Sequence, residues 1–395
     1  MTRRDLLKLA VMLPLVLATP LRAATLLAGQ SGGPRPRWDR VLILIELHGG
    51  NDGLNTLIPY GDVRYYQARP HLAIPRERVL QLSPNVGLHA AMEPLMGLWQ
   101  ARQLAIVQGV GYPQPNRSHF RSIEIWDTAS DSDQIFDEGW IARLFETHTL
   151  PAEFSAEGIV LGPRESGPLN GKTVRTIALE DPQQFLQQAS RVRAVEQSSV
   201  NPALAHILHV QQELTHAAGD LASRLQPAPP LQATFPTSPL GRQLETAAQL
   251  LVAKVPVAAI KVSQGGFDTH ANQLGQHERL LKELAEALVS FQRAMVQAGL
   301  WDRVLMMTYS EFGRRVRENA SAGTDHGTAA PHFLLGGQVK GGLYGEAPSL
   351  GDLQEGDLKY RVDYRSLYAT VTRTWWGLPG DGAGGRQYPV LDCLA

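Results

Sequence analysis

The chain has 395 residues, 43% hydrophobic and 19% charged, a make-up that excludes disorder, collagen and coiled coil and leaves enough apolar material for a sizeable core. Its 37 basic and 38 acidic residues give a formal charge of −1, so no general attraction to nucleic acid is expected. The single cysteine, Cys393, excludes an intramolecular disulfide.

The N-terminus reads Met1-Thr2-Arg3-Arg4-Asp5-Leu6-Leu7-Lys8 and continues into an apolar run, Leu9 to Ala18. Paired arginines ahead of a modest apolar segment resemble a twin-arginine export signal. A stable membrane span needs about 20 apolar residues, and this run is broken by Pro14 and Pro20. Residues 1–23 are therefore expected to be a signal peptide cut near Ala23 or Ala24, with the twin-arginine translocation machinery as partner and a periplasmic or otherwise exported location. This route carries folded proteins, often with a metal loaded. Residues 24–40, with Gly32, Gly33, Pro34 and Pro36, read as a linker.

A domain is expected over 41–395. Val41 to Leu47 is an almost continuous apolar run of strand length, and Leu104 to Val110, Val255 to Val262 and Val304 to Tyr309 repeat it. Helical segments lie between them: His89 to Arg102, Ser118 to Thr128, and Gln276 to Ala298, where Leu280, Leu281, Leu284, Leu288 and Phe291 recur at helical spacing. This alternation predicts an α/β fold, a doubly wound and mostly parallel sheet with helices on both faces. A helical insertion is expected at about 183–240, ending in the cluster Pro227, Pro229, Pro230, Pro236 and Pro239. Its histidines, His206, His209 and His216, read as solvated or structural. Tyr368, Trp375 and Trp376 read as core.

Each apolar strand runs into a polar, glycine-containing cluster: His48-Gly49-Gly50-Asn51-Asp52-Gly53, then Asn116-Arg117-Ser118-His119, then Gly265-Gly266-Phe267-Asp268-Thr269-His270, then Ser310-Glu311-Phe312-Gly313-Arg314. Thr324-Asp325-His326-Gly327 follows, with His332 shortly after. In a parallel sheet the four strand ends converge where such sheets bind ligands. Imidazoles beside carboxylates are a ligand set for zinc, manganese or iron; an all-oxygen cage would suggest calcium or magnesium. One or two ions, zinc or manganese, are expected on Asp52, Asp268, His270, Glu311, Asp325, His326 and His332. The plainer alternatives are that Asp52 ties a turn and Asp268 caps a helix.

Ser118 carries two readings. It precedes a helix and fits an N-cap; equally, a hydroxyl at a helix N-terminus near Arg117 and a metal fits a nucleophile. His119 is a metal ligand or proton donor, and Arg117 or Arg121 would grip a phosphate or sulfate through two parallel hydrogen bonds.

The series HGGNDGLNTLIPY, RSHF, GGFDTH, VLMMTYSEFGRRVREN and GTDHG, with DYRSLYATVTRTWWGLP near the end, resembles the bacterial exported family called domain of unknown function 1501. The resemblance implies an alkaline-phosphatase-like or sulfatase-like fold, with a metal centre and a hydroxyl nucleophile at the carboxyl edge of the sheet. It implies Asp52 as the aspartate after the first strand, Ser118 as the nucleophile, and Asp268 and His270 as one metal site. After the fourth strand the superfamily has Asp-His-Gly and this chain has Glu311-Phe312-Gly313, so either Asp325 and His326 replace the pair or one metal position is lost. His326 or His332 matches the superfamily's late histidine. No Cys-x-Pro-x-Arg sulfatase signature surrounds Ser118. The function expected is an exported metal-dependent hydrolase of small anionic phosphate or sulfate esters; the alternative is a non-catalytic binding or assembly protein on an altered scaffold, with its protein partner open.

Overall fold

The computed structural model describes residues 36–154, 156–162, 165–172, 174–189, 201–380 and 386–395. The expected signal peptide, most of the linker and residues 190–200 of the insertion lie outside them.

The apolar runs form the centre of a nine-stranded sheet. Its strands are β1 (Val41–Leu47), β2 (Leu104–Gly111), β3 (Gly158–Leu161), β4 (Thr176–Leu179), β5 (Ala259–Gln264), β6 (Val304–Tyr309), β7 (Ala330–Gly336), β8 (Gly342–Tyr344) and β9 (Val362–Asp363). The order is β8-β2-β7-β6-β1-β5-β3-β4, with β9 beside β2. β1 pairs in parallel with β5 and β6, Ile43 lying opposite Ile260 and Met306. β7 runs antiparallel to both its neighbours, while the other pairs of this sheet are parallel.

Period-two alternation divides β1 between two cores. Ile43, Ile45 and Leu47 face helices α4 (Pro239–Val252) and α5 (Gln273–Gln297), meeting Leu244, Leu281, Leu284 and Leu288. Leu42 and Leu44 face the opposite layer, built from α1 (His119–Thr128), α2 (Trp140–Thr147) and α6 (Arg365–Ala369), with Trp126, Trp140 and Tyr368. The long helix α3 (Pro202–Leu225) belongs to the expected insertion. The apolar stripe of α5 is buried as its spacing predicts, each fully buried leucine being worth about 1.5–3 kcal/mol. Leu284→Asp would place a charge in that seam. Tyr368, Trp375 and Trp376 are core residues. No helix among the described residues is long and apolar enough to cross a membrane.

Three boundaries differ from expectation. His89 to Arg102 is a 3-10 segment, Ala90–Leu95, followed by a short helix, Met96–Gln100, because Pro94 lacks the N–H that a continuous helix requires. The strand expected from Val255 begins at Ala259, beyond Pro256. β7, with sequence APHFLLG, is an additional buried strand; Pro331 and His332 disguise it in the sequence.

Candidate metal centre

Because β1, β2, β5 and β6 run in one direction, the segments that follow them open on one edge of the sheet. Asp268, after β5, is the focus. Its Oδ1 lies 2.9 Å from His270 Nε2, 3.1 Å from His326 Nε2 and 2.6 Å from Arg314 Nη2. His119, the first residue of α1, places Nε2 3.4 Å from Asp268 Oδ2 and Nδ1 3.5 Å from Glu311 Oε1. Neither ring nitrogen of His119 makes a hydrogen bond, although both are buried. Asp325 stands behind His270, its Oδ1 3.2 Å from Nδ1. Burial raises the Asp268 carboxyl, but the Arg314 guanidinium and the adjoining imidazoles outweigh it and hold the pKa at about 2.

The hydrogen-bond partners constrain the imidazole tautomers. His326 Nδ1 is 2.8 Å from the carbonyl oxygen of Arg117; a carbonyl only accepts, so Nδ1 carries the proton and Nε2 of the neutral ring is bare. His270 lies between two carboxylates, Nδ1 3.2 Å from Asp325 Oδ1 and Nε2 2.9 Å from Asp268 Oδ1, and its Nδ1–H tautomer is the one that presents a lone pair at Nε2. The Nε2 atoms of His270 and His326 are 2.9 Å apart and both face Asp268 Oδ1. In those tautomers three acceptors meet at one point, where a cation would relieve their repulsion; Arg314 reaches the same point with Nη2 on Asp268 and Nη1 3.5 Å from His270 Nε2. Protonation of His326 is disfavoured, since burial lowers its pKa. Three imidazoles and a carboxylate are a donor set suited to zinc, and the backing of His270 by Asp325 and of His326 by a carbonyl is the outer shell that fixes such ligands.

Arg314 is a cation built into the fold. It is 2% exposed and donates from Nε to Gly50 O at 2.7 Å, from Nη1 to Thr324 O at 2.9 Å, and from Nη2 to Phe267 O at 3.0 Å, to Gly49 O and to Asp268. Glu311 is fully buried, and its carboxylate accepts from the N–H groups of Gly49 at 2.8 Å and Gly50 at 2.9 Å. That turn needs glycine: Gly49 has φ +112°, and a Cβ there would lie 2.5 Å from Asp268 N.

A second acidic group adjoins the first. His48 Nδ1 is 3.0 Å from Glu46 Oε1 and 3.3 Å from Glu311 Oε1, while Lys261 Nζ is 2.8 Å from Glu46 Oε2. The hydrogen bond to Glu46 and the neighbouring carboxylates push the His48 pKa up to about 9 against a smaller opposing effect of burial. Glu46 and Lys261 lie inside buried strands, and an ionised side chain within an apolar run was the signal that could have marked them. Arg314 stood in a quoted motif without a role.

Several expected site residues lie elsewhere. Asp52 is 0% exposed; its carboxylate pairs with Arg69 Nη1 at 2.6 Å, accepts from Gln273 Nε2 and caps the turn at Leu54 N. The turn-tying alternative thus describes it, and Arg69 takes the place of a metal. His332 is enclosed in β7 against Trp126, ring centroids 5.1 Å apart, with both nitrogens unpartnered; burial alone lowers its pKa to about 3. Arg117 is paired through Nη2 with Asp357 at 2.5 Å while its Nε makes no hydrogen bond, and Arg121 is paired with Glu124 and the carbonyl oxygens of Asp131 and Ser132, so both guanidiniums already have partners within the chain. Ser118 occupies the N-cap position of α1 and is exposed, but its side chain makes no capping bond. His216 is exposed on α3; the side chains of His206 and His209 lie outside the described residues.

No curated protein matches the chain. Among solved structures it is similar to the C-terminal periplasmic domain of EcEptC from Escherichia coli in complex with Zn, at 10% identity and a TM-score of 0.39 over 78% of this chain and 74% of that one. It is similar also to the PsFucS1 sulfatase from Pseudoalteromonas sp., at 9% identity and a TM-score of 0.40 over 86% and 68%. A protein in the alkaline phosphatase superfamily from Vibrio parahaemolyticus matches at 10% identity and a TM-score of 0.41 over 90% and 70%. The family model described as a protein of unknown function (DUF1501) matches residues 74–382, and the chain belongs to that family.

Proposed function

We propose that the protein is a metal-dependent hydrolase of phosphate or sulfate esters, exported by the twin-arginine route. One divalent ion, zinc or manganese, would be held by Asp268, His270 and His326, with His119 completing the set. The observation that carries this reading is the approach of two imidazole Nε2 atoms to 2.9 Å beside a carboxylate oxygen. A second ion is not needed: Arg314 already neutralises the inner side of Asp268, and Lys261 and His48 already neutralise Glu46 and Glu311.

When bound, the ion supplies Lewis acidity to the ester oxygen. Ser118, exposed and without a capping duty, is the attacking group, and the α1 N-terminus favours negative charge beside it. Attack forms a bond from Ser118 Oγ to phosphorus or sulfur, and the alcohol departs with the serine proton. Water then releases phosphate or sulfate and restores the hydroxyl. Asp325 and the Arg117 carbonyl hold His270 and His326 in the tautomers that present Nε2.

The experiment measures bound metal by elemental analysis, together with turnover of generic phosphomonoester, phosphodiester and sulfate ester substrates, for wild type, Asp268→Asn and Ser118→Ala. One ion per chain in wild type, loss of metal in Asp268→Asn, and retained metal with turnover lower by orders of magnitude in Ser118→Ala are expected. Absence of both metal and activity from metal-supplemented wild type would instead favour a non-catalytic exported binding protein. The engagement of Glu311 by Gly49 and Gly50 is the observation on that side.

A further inference from the structure

A cavity of about 330 Å³ shares a wall with the metal centre. The wall is Phe312, whose ring stacks on His326 at 4.5 Å and lies 5.0 Å from His119. Arg117 joins the two from the other side: its carbonyl fixes His326 while its side chain lines the cavity. An ester with its phosphoryl or sulfuryl group at Asp268 and His326 therefore has this space beside it for the remainder of the molecule.

The lining determines what fits. Tyr360, 39% exposed, supplies most of the aromatic surface, Tyr112 and Trp126 being nearly buried in the wall, and Gln114 and Gln354 supply amides that both donate and accept. The fixed charges of the lining have opposite partners, Arg117 with Asp357 at 2.5 Å and with Glu355 at 3.7 Å, and Lys359 with Asp352, which favours a neutral occupant over a charged one. Leu358 is the one branched aliphatic side chain among the described residues of the lining, too little for an acyl chain. The volume stands at the small end of ligand sites and admits one ring.

We propose that this cavity holds the alcohol half of the ester, and that this half is a neutral, polyhydroxylated ring the size of one monosaccharide. The C–H face of such a ring packs on the aromatic rings and its hydroxyls pair with the amides. This assignment rests on the ester-hydrolase reading for the word alcohol, but the ring site is testable without turnover.

Saturation-transfer NMR on the full chain would use methyl glucoside, methyl N-acetylglucosaminide and myo-inositol, with glucuronate and hexanol as competitors, for wild type, Tyr360→Ala and Gln354→Ala. The neutral rings are expected to bind, with Kd raised about fivefold in Tyr360→Ala. In metal-supplemented protein, the kcat/KM ratio of hexose phosphates or sulfates to methyl phosphate or sulfate should fall by about tenfold in the same variant. No binding of the neutral rings, equal binding in wild type and both variants, or preference for glucuronate or hexanol would overturn the inference. Ester hydrolysis without sugar preference removes the inference alone. Tyr360-dependent ring binding without any hydrolysis removes the hydrolase reading and leaves the ring site standing.

Discussion

Asp52 and Asp268 both follow a central strand on the same edge of the sheet, yet their surroundings are opposite. Asp52 is 0% exposed and every demand of its charge is met by Arg69, Gln273 and Leu54 N–H. Asp268 has 44% of its side chain exposed and shares its Oδ1 among Arg314 and two imidazole nitrogens. The first is a closed polar network; the second is paired on its inner side only and open to solvent on the other. Both carboxylates thus meet an arginine, and what separates them is whether burial closes the remaining side.

The largest effect that would break this contrast is on metal content. His326→Ala and Asp268→Asn should each reduce bound metal to background in elemental analysis. In metal-stripped protein, His326→Ala also loses the hydrogen bond to the Arg117 carbonyl and the stacking on Phe312, so its Tm should fall, and metal-supplemented wild type should gain Tm over stripped wild type while His326→Ala should not.

Asp52→Ala should act in the other direction, costing about 3–5 kcal/mol in denaturant unfolding because Arg69 is left buried and unpaired. Metal per folded molecule should not change. Since Arg69 also donates to the carbonyl oxygens of Val316 at 3.0 Å and Arg315 at 2.9 Å, hydrogen exchange should quicken at those residues.

His332 supplies a pH test of its exclusion from the centre. Its folded pKa of about 3 lies below the ordinary value of 6.5, so the unfolded chain takes up a proton that the folded chain refuses. Its contribution is complete above about pH 6.5 and is lost as pH falls towards 3, with a slope of up to about 1.4 kcal/mol per pH unit. His332→Phe should flatten that slope in unfolding titrations and leave metal content unchanged.

Ser118→Ala should have the smallest effect on stability, under about 0.5 kcal/mol, because the hydroxyl makes no capping bond. A cost of about 1 kcal/mol or more would restore the cap reading.

Much of the fold was legible because apolar runs of strand length report burial on both faces, and the odd and even residues of β1 do divide between two cores. Parallel strand direction predicts that the segments carrying Asp52, Ser118, Asp268 and Glu311 open on one edge; His326, in a fifth cluster, is expected beside them from its Asp-His-Gly pattern. What escaped is what depends on distant partners. Arg69 lies 17 positions from Asp52, and nothing near either residue announces the pair. Glu46 and Lys261 interrupt otherwise apolar strands, and they neutralise each other across the sheet at 2.8 Å. His332 was misplaced for a geometric reason: near His326 in sequence, it lies in β7, where alternation and burial turn it into the Trp126 layer.

The segment that carries Glu311, Arg314, Asp325 and His326 leaves β6 and returns as β7, two strands that are hydrogen-bonded neighbours. Inside it Gly327 N–H donates to Gly313 O at 2.8 Å, Gly313 N–H to Thr328 O at 2.7 Å and Arg315 N–H to Asp325 O at 2.9 Å. The stems are tied by the sheet and the interior by these backbone bonds, so little chain entropy would remain to be lost on binding of the proposed ion. Sites that fold only around their metal behave otherwise. On the proposed reading, loading would be separable from folding of this segment.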